Sequence, residues 1–145
     1  GLFDLWLGND DRNANNYNLL LESKSDGYHF IPIDHEAIFN TNSLPLGLNL
    51  QTESDSLILT SLFKSVVSKR IIKEILTANG DDLRDYFYLC TTNCKNELDK
   101  ILEEIPHDWN ISIDVKRELI LKNVFSSKWI NDVFREFLIN LKHLL

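Results

Sequence analysis

Methionine is absent from this chain, proline occurs three times, cysteine twice and glycine five times. Each shortage closes something off. A chain that opens on Gly1-Leu2-Phe3 and holds no Met at all is expected to be part of a longer protein. The five glycines form neither a G-x-G-x-x-G nor a Walker-type loop, so these residues carry no glycine-rich phosphate cradle. Cys90 and Cys94 stand four apart, and no second Cys/His pair has the spacing to complete a four-ligand zinc site. A disulfide within one helical turn is geometrically awkward, so two free thiols in a reducing cytosol are expected, and with them a cytoplasmic protein. Basic excess is lacking as well. Fifteen Lys and Arg against 22 Asp and Glu give a net charge of −7, which disfavours direct nucleic-acid binding and suits a protein substrate bearing basic residues. No secretory signal or transit peptide is visible, and no apolar run approaches the roughly 20 residues of a membrane span. At 145 residues the chain is large enough for one domain with its own core.

What is present is concentrated near the beginning. Leu2, Phe3, Leu5, Trp6 and Leu7 read as the end of a core helix. The stretch from Gly8 through Asn18 follows, crowded with carboxylates and carboxamides. Two apolar runs, 18–22 and 28–33, are joined by Ser23-Lys24-Ser25-Asp26-Gly27 and predict a β-hairpin. Such a hairpin carries Asp34 back towards Asp11 and Asn16. Mg²⁺ takes oxygen ligands, often one or two from protein and the rest from phosphates and water. Asn16 offers a carbonyl oxygen and Asp34 a carboxylate, while Asp11 is placed to orient an attacking hydroxyl and accept its proton. Two carboxylates about 5 Å apart repel by roughly 3 kcal/mol at an effective dielectric near 20. A cleft holding Asp10, Asp11, Asp34 and Glu36 is therefore expected to need a cation, or Arg12, to offset them. Asn, Asp and Gly are also ordinary turn formers. The hairpin and the Asp at its end are what make this loop a candidate site.

Gly8-Asn9-Asp10-Asp11-Arg12, followed by Asn16 and Tyr17, resembles the catalytic loop of HipA-like serine/threonine kinases, roughly G-N-x-D-R-H-x-x-N with Phe or Tyr last. Phosphoinositide kinases have a similar D-R-H-x-x-N loop. Pro32-Ile33-Asp34 resembles the segment ending in that family's metal-binding Asp, the counterpart of D-F-G. The small stand-alone members tend to show Asp-His-Glu after the second strand and a later Ile-Pro-x-x-Trp, as in Asp34-His35-Glu36 and Ile105-Pro106-His107-Asp108-Trp109. The resemblance is specific over residues 1–39 and loose beyond. It implies Asp11 as catalytic base, Asn16 as a magnesium ligand and Asp34 as the principal magnesium ligand, with ATP and Mg²⁺ as cofactors. His35 then either touches nucleotide, metal or substrate or simply packs, and Glu36 either helps the metal or does not. One departure is Asn13, where the family often has His; Asn supplies both a donor and an acceptor and can shape the loop in its place.

The resemblance further implies an α+β, mostly α fold: the C-terminal lobe of a protein-kinase-like fold, with a β-hairpin at the catalytic end and a helical bundle behind it. Residues 1–39 would hold the catalytic loop and hairpin, 40–52 a loop and 53–145 a helical subdomain. The ATP lid and the phosphate-pairing lysine belong to an N-terminal lobe that these residues lack, so the fragment alone is expected to bind nucleotide poorly and not to turn over. The intact parent would transfer the ATP γ-phosphate to a protein Ser/Thr hydroxyl, in a toxin–antitoxin or growth-control setting with an antitoxin-like partner. Two alternatives stay open: a catalytically inactive relative used as a binding module, and a kinase acting on a small molecule or lipid.

The remainder reads as scaffold. Residues 40–52 carry Pro45 and Gly47 and lack helical periodicity, so they are either an activation or substrate-facing loop or a surface connection, with part of the run Leu44, Leu46, Leu48, Leu50 packing down or docking a partner. Helices are predicted over about 54–67 capped by Ser54 or Asp55, over 68–78 ending at Asn79-Gly80, from Asp81 through Leu89, over 93–104, and from Ser112 or Asp114 onward. Inward faces include Leu57, Ile58, Ser61, Leu62 and Ser65, then Leu98, Ile101 and Leu102, then Val115, Leu119, Ile120 and Val124. The last helix is the clearest, with Trp129, Ile130, Val133, Phe134, Phe137, Leu138, Leu141 and Leu145 recurring at i+3 and i+4. His29 and His143 read as structural or exposed.

Overall fold

A computed structural model describes residues 1–51 and 56–145. The described chain is mostly helical with one two-stranded antiparallel sheet, as the α+β, mostly α reading expects. A short helix α1 (Leu2–Leu7) leads through the loop into β1 (Leu19–Lys24) and β2 (Gly27–Pro32). Then come α2 (Ser61–Val66), α3 (Lys69–Thr77), α4 (Asp81–Asn96), α5 (Leu98–Glu103), α6 (Ile113–Asn123) and α7 (Ser127–Lys142). The strands pair from Leu19 opposite Pro32 to Lys24 opposite Gly27, so the ladder runs two residues deeper into the expected loop. Backbone pairing, once closed on the Ser25-Asp26 turn, continues past the last apolar side chain. No helix among the described residues is long and apolar enough to cross a membrane.

The core forms around α7, whose Trp129, Ile130, Val133, Phe134, Phe137 and Leu141 are buried as the periodicity requires. Helix α1 lies against it. Six residues are too few to make a stable helix alone, so tertiary contacts must hold α1. Trp6 donates its indole N–H to the Val124 carbonyl (3.0 Å), and Trp129 donates to the Trp6 carbonyl (2.9 Å). The Trp6 ring meets Phe125 and Phe87 edge-on at 5.6 and 6.2 Å. The loop that leaves α1 therefore starts from a fixed point in the core.

Several boundaries differ from the sequence reading, each for a local reason. Ser54 and Asp55, the expected caps, lie outside the described residues. Downstream, the single expected helix is two pieces: Ser56 caps a 3₁₀ turn (Leu57–Leu59), and Thr60 caps α2 by accepting from Phe63 N at 3.2 Å. Thr60 also donates to the Leu57 carbonyl (2.7 Å), so one side chain both ends the first piece and starts the second. Ser61 and Ser65 face solvent, and Phe63 and Val67 pack in their place. The expected break near residues 90–92 is not there. Thr91 is buried, its hydroxyl donates to the Tyr88 carbonyl three residues back (3.0 Å), and α4 continues to Asn96. Ile101 and Val115 are about half exposed, at 52% and 53%, because Leu98, Leu102 and Val124 already fill the contact. Leu145 is exposed too. Cys90 and Cys94 are free, one helical turn apart on α4, and burial, with Cys90 beside it, pushes the Cys94 thiol up.

The stop after α3 does fall at Asn79-Gly80, both left-handed. Gly80 rather than Asp81 occupies the cap position of α4. A Cβ at Gly80 would stand 3.0 Å from Phe134 Cζ and 3.1 Å from Leu138 Cδ2. Gly80→Ala combines that contact with a positive φ, so a stability loss of about 1–2 kcal/mol is expected, read as a lower urea midpoint at unchanged slope. An unchanged midpoint would mean that α7 gives way freely there.

Candidate active site

The loop begins at Gly8, whose left-handed conformation (φ 58°) ends α1 and turns the chain sharply. Asn9 N donates to the Asp4 carbonyl (2.9 Å), and the Asn9 side-chain oxygen accepts from Asp11 N (3.2 Å), an Asx turn that lifts Asp11 clear of the helix. Asn13 ties the next bend. It donates through Nδ2 to the Asp10 carbonyl (3.1 Å), accepts from Asn15 N (2.9 Å), and pairs its backbone with that of Asn16 (3.0 and 3.3 Å). Both sides of the carboxamide are used, so Asn13 shapes the loop.

Asp11 and Asn16 are brought together. Asp11 Oδ2 accepts from Asn16 Nδ2 at 2.8 Å and from Asn18 Nδ2 at 3.1 Å. Its other oxygen, Oδ1, accepts from none of the described residues, and neither does the carbonyl oxygen of the Asn16 side chain. Asn18 escaped the sequence reading because it sits where the first strand begins. Its left-handed φ of 44° is the conformation Asn tolerates best among non-glycine residues, which is the one local signal it gives.

Asp34 arrives as the hairpin topology requires, but it makes no hydrogen bond with Asp11 or Asn16. Ile33 N donates to the Asn18 carbonyl (2.9 Å), so the end of the second strand is pinned beside the residue that holds Asp11. Asp34 is left-handed (φ 55°) and exposed, and its Oδ1 accepts only a long bond from Glu36 N (3.5 Å). His35 is half-buried, with Nε2 3.5 Å from Arg12 Nη2 and its ring edge-on to Phe3 at 6.0 Å. Glu36 is exposed on the rim of a groove that also includes Ile38, Phe39, Leu44 and Lys116.

Arg12 is the least expected part. It is fully buried, and its Nη1 pairs with Asp4 Oδ1 in α1, itself 4% exposed. Nη2 donates to the Ile33 carbonyl at 2.6 Å and reaches the Asp34 carbonyl at 3.5 Å. One guanidinium thus joins α1, the loop and the end of the hairpin. Its charge is committed to Asp4, so of the two counter-charges expected for the loop's other carboxylates, a cation or Arg12, Arg12 is not the one. Carboxamides answer two of those instead. Asp10 accepts from Asn40 Nδ2 at 2.8 and 3.0 Å and from Gln51 Nε2 at 3.5 Å, while Asp11 has Asn16 and Asn18. Arg12 Nε and Asn9 Nδ2 have no partner among the described residues.

Among the described residues no three His, Cys, Asp or Glu side chains converge on a point where a metal ion could sit. The two expected ligands are the Asn16 carboxamide oxygen and the Asp34 carboxylate, which share no hydrogen bond. Oxygen donors of these two types suit Mg²⁺ completed by phosphate and water better than an ion that needs an all-protein cage. No protein-family model matches the chain, and no curated protein or solved structure matches it either.

Proposed function

We propose that this chain is the C-terminal lobe of a HipA-like, Mg²⁺-dependent kinase that transfers the γ-phosphate of ATP to a Ser or Thr hydroxyl of a protein. The observation that carries the reading is Asp11: a half-buried carboxylate held on one oxygen by Asn16 and Asn18, with its other oxygen free to accept a proton. Asn16 would hold the metal through its side-chain oxygen and Asp34 through its carboxylate, and the ion would neutralise charge on the transferring phosphate. Because Asn16 bonds Asp11 as well, base and metal ligand keep a fixed relation. Asp34 stands at the hairpin end that Arg12 and the Asn18 carbonyl secure, where ion and phosphates would gather it towards Asn16. His35, behind Arg12, is assigned to the rim of the nucleotide site. The reading gives the ATP lid and its lysine to an upstream lobe. The hairpin suits that arrangement, since its apolar side chains stand open: Tyr28 is 74% exposed, with Leu20, Leu21 and Phe30 beside it. A two-stranded sheet with so much bare apolar surface is marginal alone and gains by being covered. An acidic chain favours a basic acceptor segment, and an antitoxin-like partner belongs to the same reading.

A second reading, an inactive relative that binds without chemistry, draws on the exposed Asp34, whose carboxylate bonds no residue of the 8–18 loop. Nucleotide binding separates the two. A chain carrying its upstream lobe is expected to bind ATP only with Mg²⁺ and to label itself or a basic Ser/Thr peptide from γ-labelled ATP. Binding that ignores Mg²⁺ and survives Asp34→Asn would sink the kinase assignment. Transfer to a small molecule or lipid in preference to the peptide would move the acceptor class.

A further inference from the structure

Four consecutive non-glycine residues lie in the left-handed region: Phe39 (φ 59°), Asn40 (43°), Thr41 (42°) and Asn42 (74°). The Cβ atom crowds the following carbonyl in that conformation, and a bulky or β-branched residue there is an outlier. Strain of this kind persists only where surrounding bonds over-determine it. Here those bonds converge on Asn40. Its backbone N–H donates to the Gly8 carbonyl (2.7 Å), and its Nδ2 donates to both oxygens of Asp10 (2.8 and 3.0 Å). Its Oδ1 accepts from Asn49 N (2.7 Å), and its carbonyl accepts from the Ser43 hydroxyl (2.9 Å). Gly8 leaves the room this requires, because a Cβ there would stand 2.9 Å from Asn40 Oδ1. A second strap runs from the same segment, Gln51 Nε2 to the Asn9 carbonyl.

We propose that Asn40 is a positioning residue that latches segment 43–51 onto the turn 8–11 and thereby fixes where Asp11 stands. The part of this that concerns Asp11 as a base rests on the function proposed above; the latch itself does not. The strain gives the device a direction. Once the bonds of Asn40 are broken, residues 39–42 relax towards ordinary backbone and Asp10 loses its donors. Anything that displaces segment 43–51, whose Leu46 is 93% exposed, then loosens the turn beneath Asp11.

Amide exchange in the full chain tests this, with Asn9, Asp11 and Asn13 as reporters and α7 as the internal reference. Asn40→Gly keeps the left-handed backbone accessible and removes only the side chain. Protection at the three reporters is expected to fall about tenfold to a hundredfold, the range for one lost charge-assisted bond, with α7 unchanged. Asn40→Asp sets two carboxylates against each other. Among the described residues the Asp10 carboxylate otherwise bonds Asn40 and Gln51, while Asp11 and Arg12 bond elsewhere, so protection in this variant should be low at neutral pH and recover in acid, where one shared proton restores a donor. The exchange of partners, Asp10→Asn with Asn40→Asp, rebuilds one donor and one carboxylate and should restore protection at neutral pH. Unchanged reporters in Asn40→Gly overturn the latch, as does a loss shared equally with α7. If Asn40→Gly does not fold, the other two variants decide: recovery in the exchanged pair upholds the latch, and failure of both overturns it. Because exchange and not phosphate transfer is read, an intact latch in an inactive kinase rejects only the proposed function.

Discussion

Asp4→Ala is expected to cost about 3–5 kcal/mol, the loss that follows when one partner of a buried ion pair is removed. The size comes from where Arg12 sits. Its guanidinium is wholly out of solvent, and without Asp4 its remaining acceptors are the Ile33 carbonyl at 2.6 Å, the Asp34 carbonyl at 3.5 Å and a histidine ring nitrogen at 3.5 Å. Dipoles do not replace a counter-charge in a low-dielectric setting. Arg12→Met should cost a similar amount by stranding Asp4, whose carboxylate among the described residues then keeps the Gly1 nitrogen alone (2.8 Å). Set against a typical total of about 5–15 kcal/mol, either change brings the domain near its limit. The joint variant, Asp4→Leu with Arg12→Met, removes both charges and keeps volume, so much of the loss should return. Urea midpoints for Asp4→Leu, Arg12→Met, the joint variant and the parent close the cycle. Single losses below about 1 kcal/mol, or a joint loss equal to the sum, would show that no buried pair is at work.

That pair also marks the limit of what the sequence discloses. Asp4 falls among Leu2, Phe3, Leu5 and Trp6, where a lone acid in a short apolar run reads as a solvated face. Its partner eight residues on reads as part of the loop's chemistry. Only the return of the chain at Gly8 makes them neighbours, and that turn is a tertiary outcome. The hairpin was legible because two short apolar runs joined by a Gly-bearing turn are local signals, and α7 was legible because a 3.6-residue period over 16 residues has no rival reading. Asp11 and Asn16 were legible as a pair because five residues of turn bring them together whatever surrounds them. Asn40 was not, since its contact with Asp10 spans 30 residues and depends on four strained backbone angles that no propensity favours. Leu44 and Leu46 make the same point within one segment: the first is buried and the second bare, and only packing against the helices separates them.

If the proposed kinase function holds, Asp11→Asn in a chain carrying the proposed upstream lobe is expected to lower kcat by about 10²–10⁴-fold, the usual range for a positioned general base, and to leave the affinity for Mg²⁺-ATP nearly intact. The replacement is close to isosteric, and its carbonyl can still accept from Asn16 and Asn18, so the loop should hold its shape while the proton acceptor disappears. Asp34→Asn should differ in kind. Removing a carboxylate from the metal site weakens nucleotide binding and raises the Mg²⁺ needed, together with the loss in rate. Asn16→Ala should show both defects, because that one side chain touches Asp11 through its nitrogen and, in the proposed site, would offer its oxygen to the metal. Asn18→Ala removes a donor to Asp11 and nothing from the metal site, so it should lower kcat less than Asn16→Ala and leave the Mg²⁺ requirement unmoved. The four variants form a pattern that a merely structural loop would not produce, since loosened packing degrades binding and rate together. Equal losses of rate and nucleotide affinity across all four would remove Asp11 from the chemistry and leave the loop as a turn built from its own carboxamides.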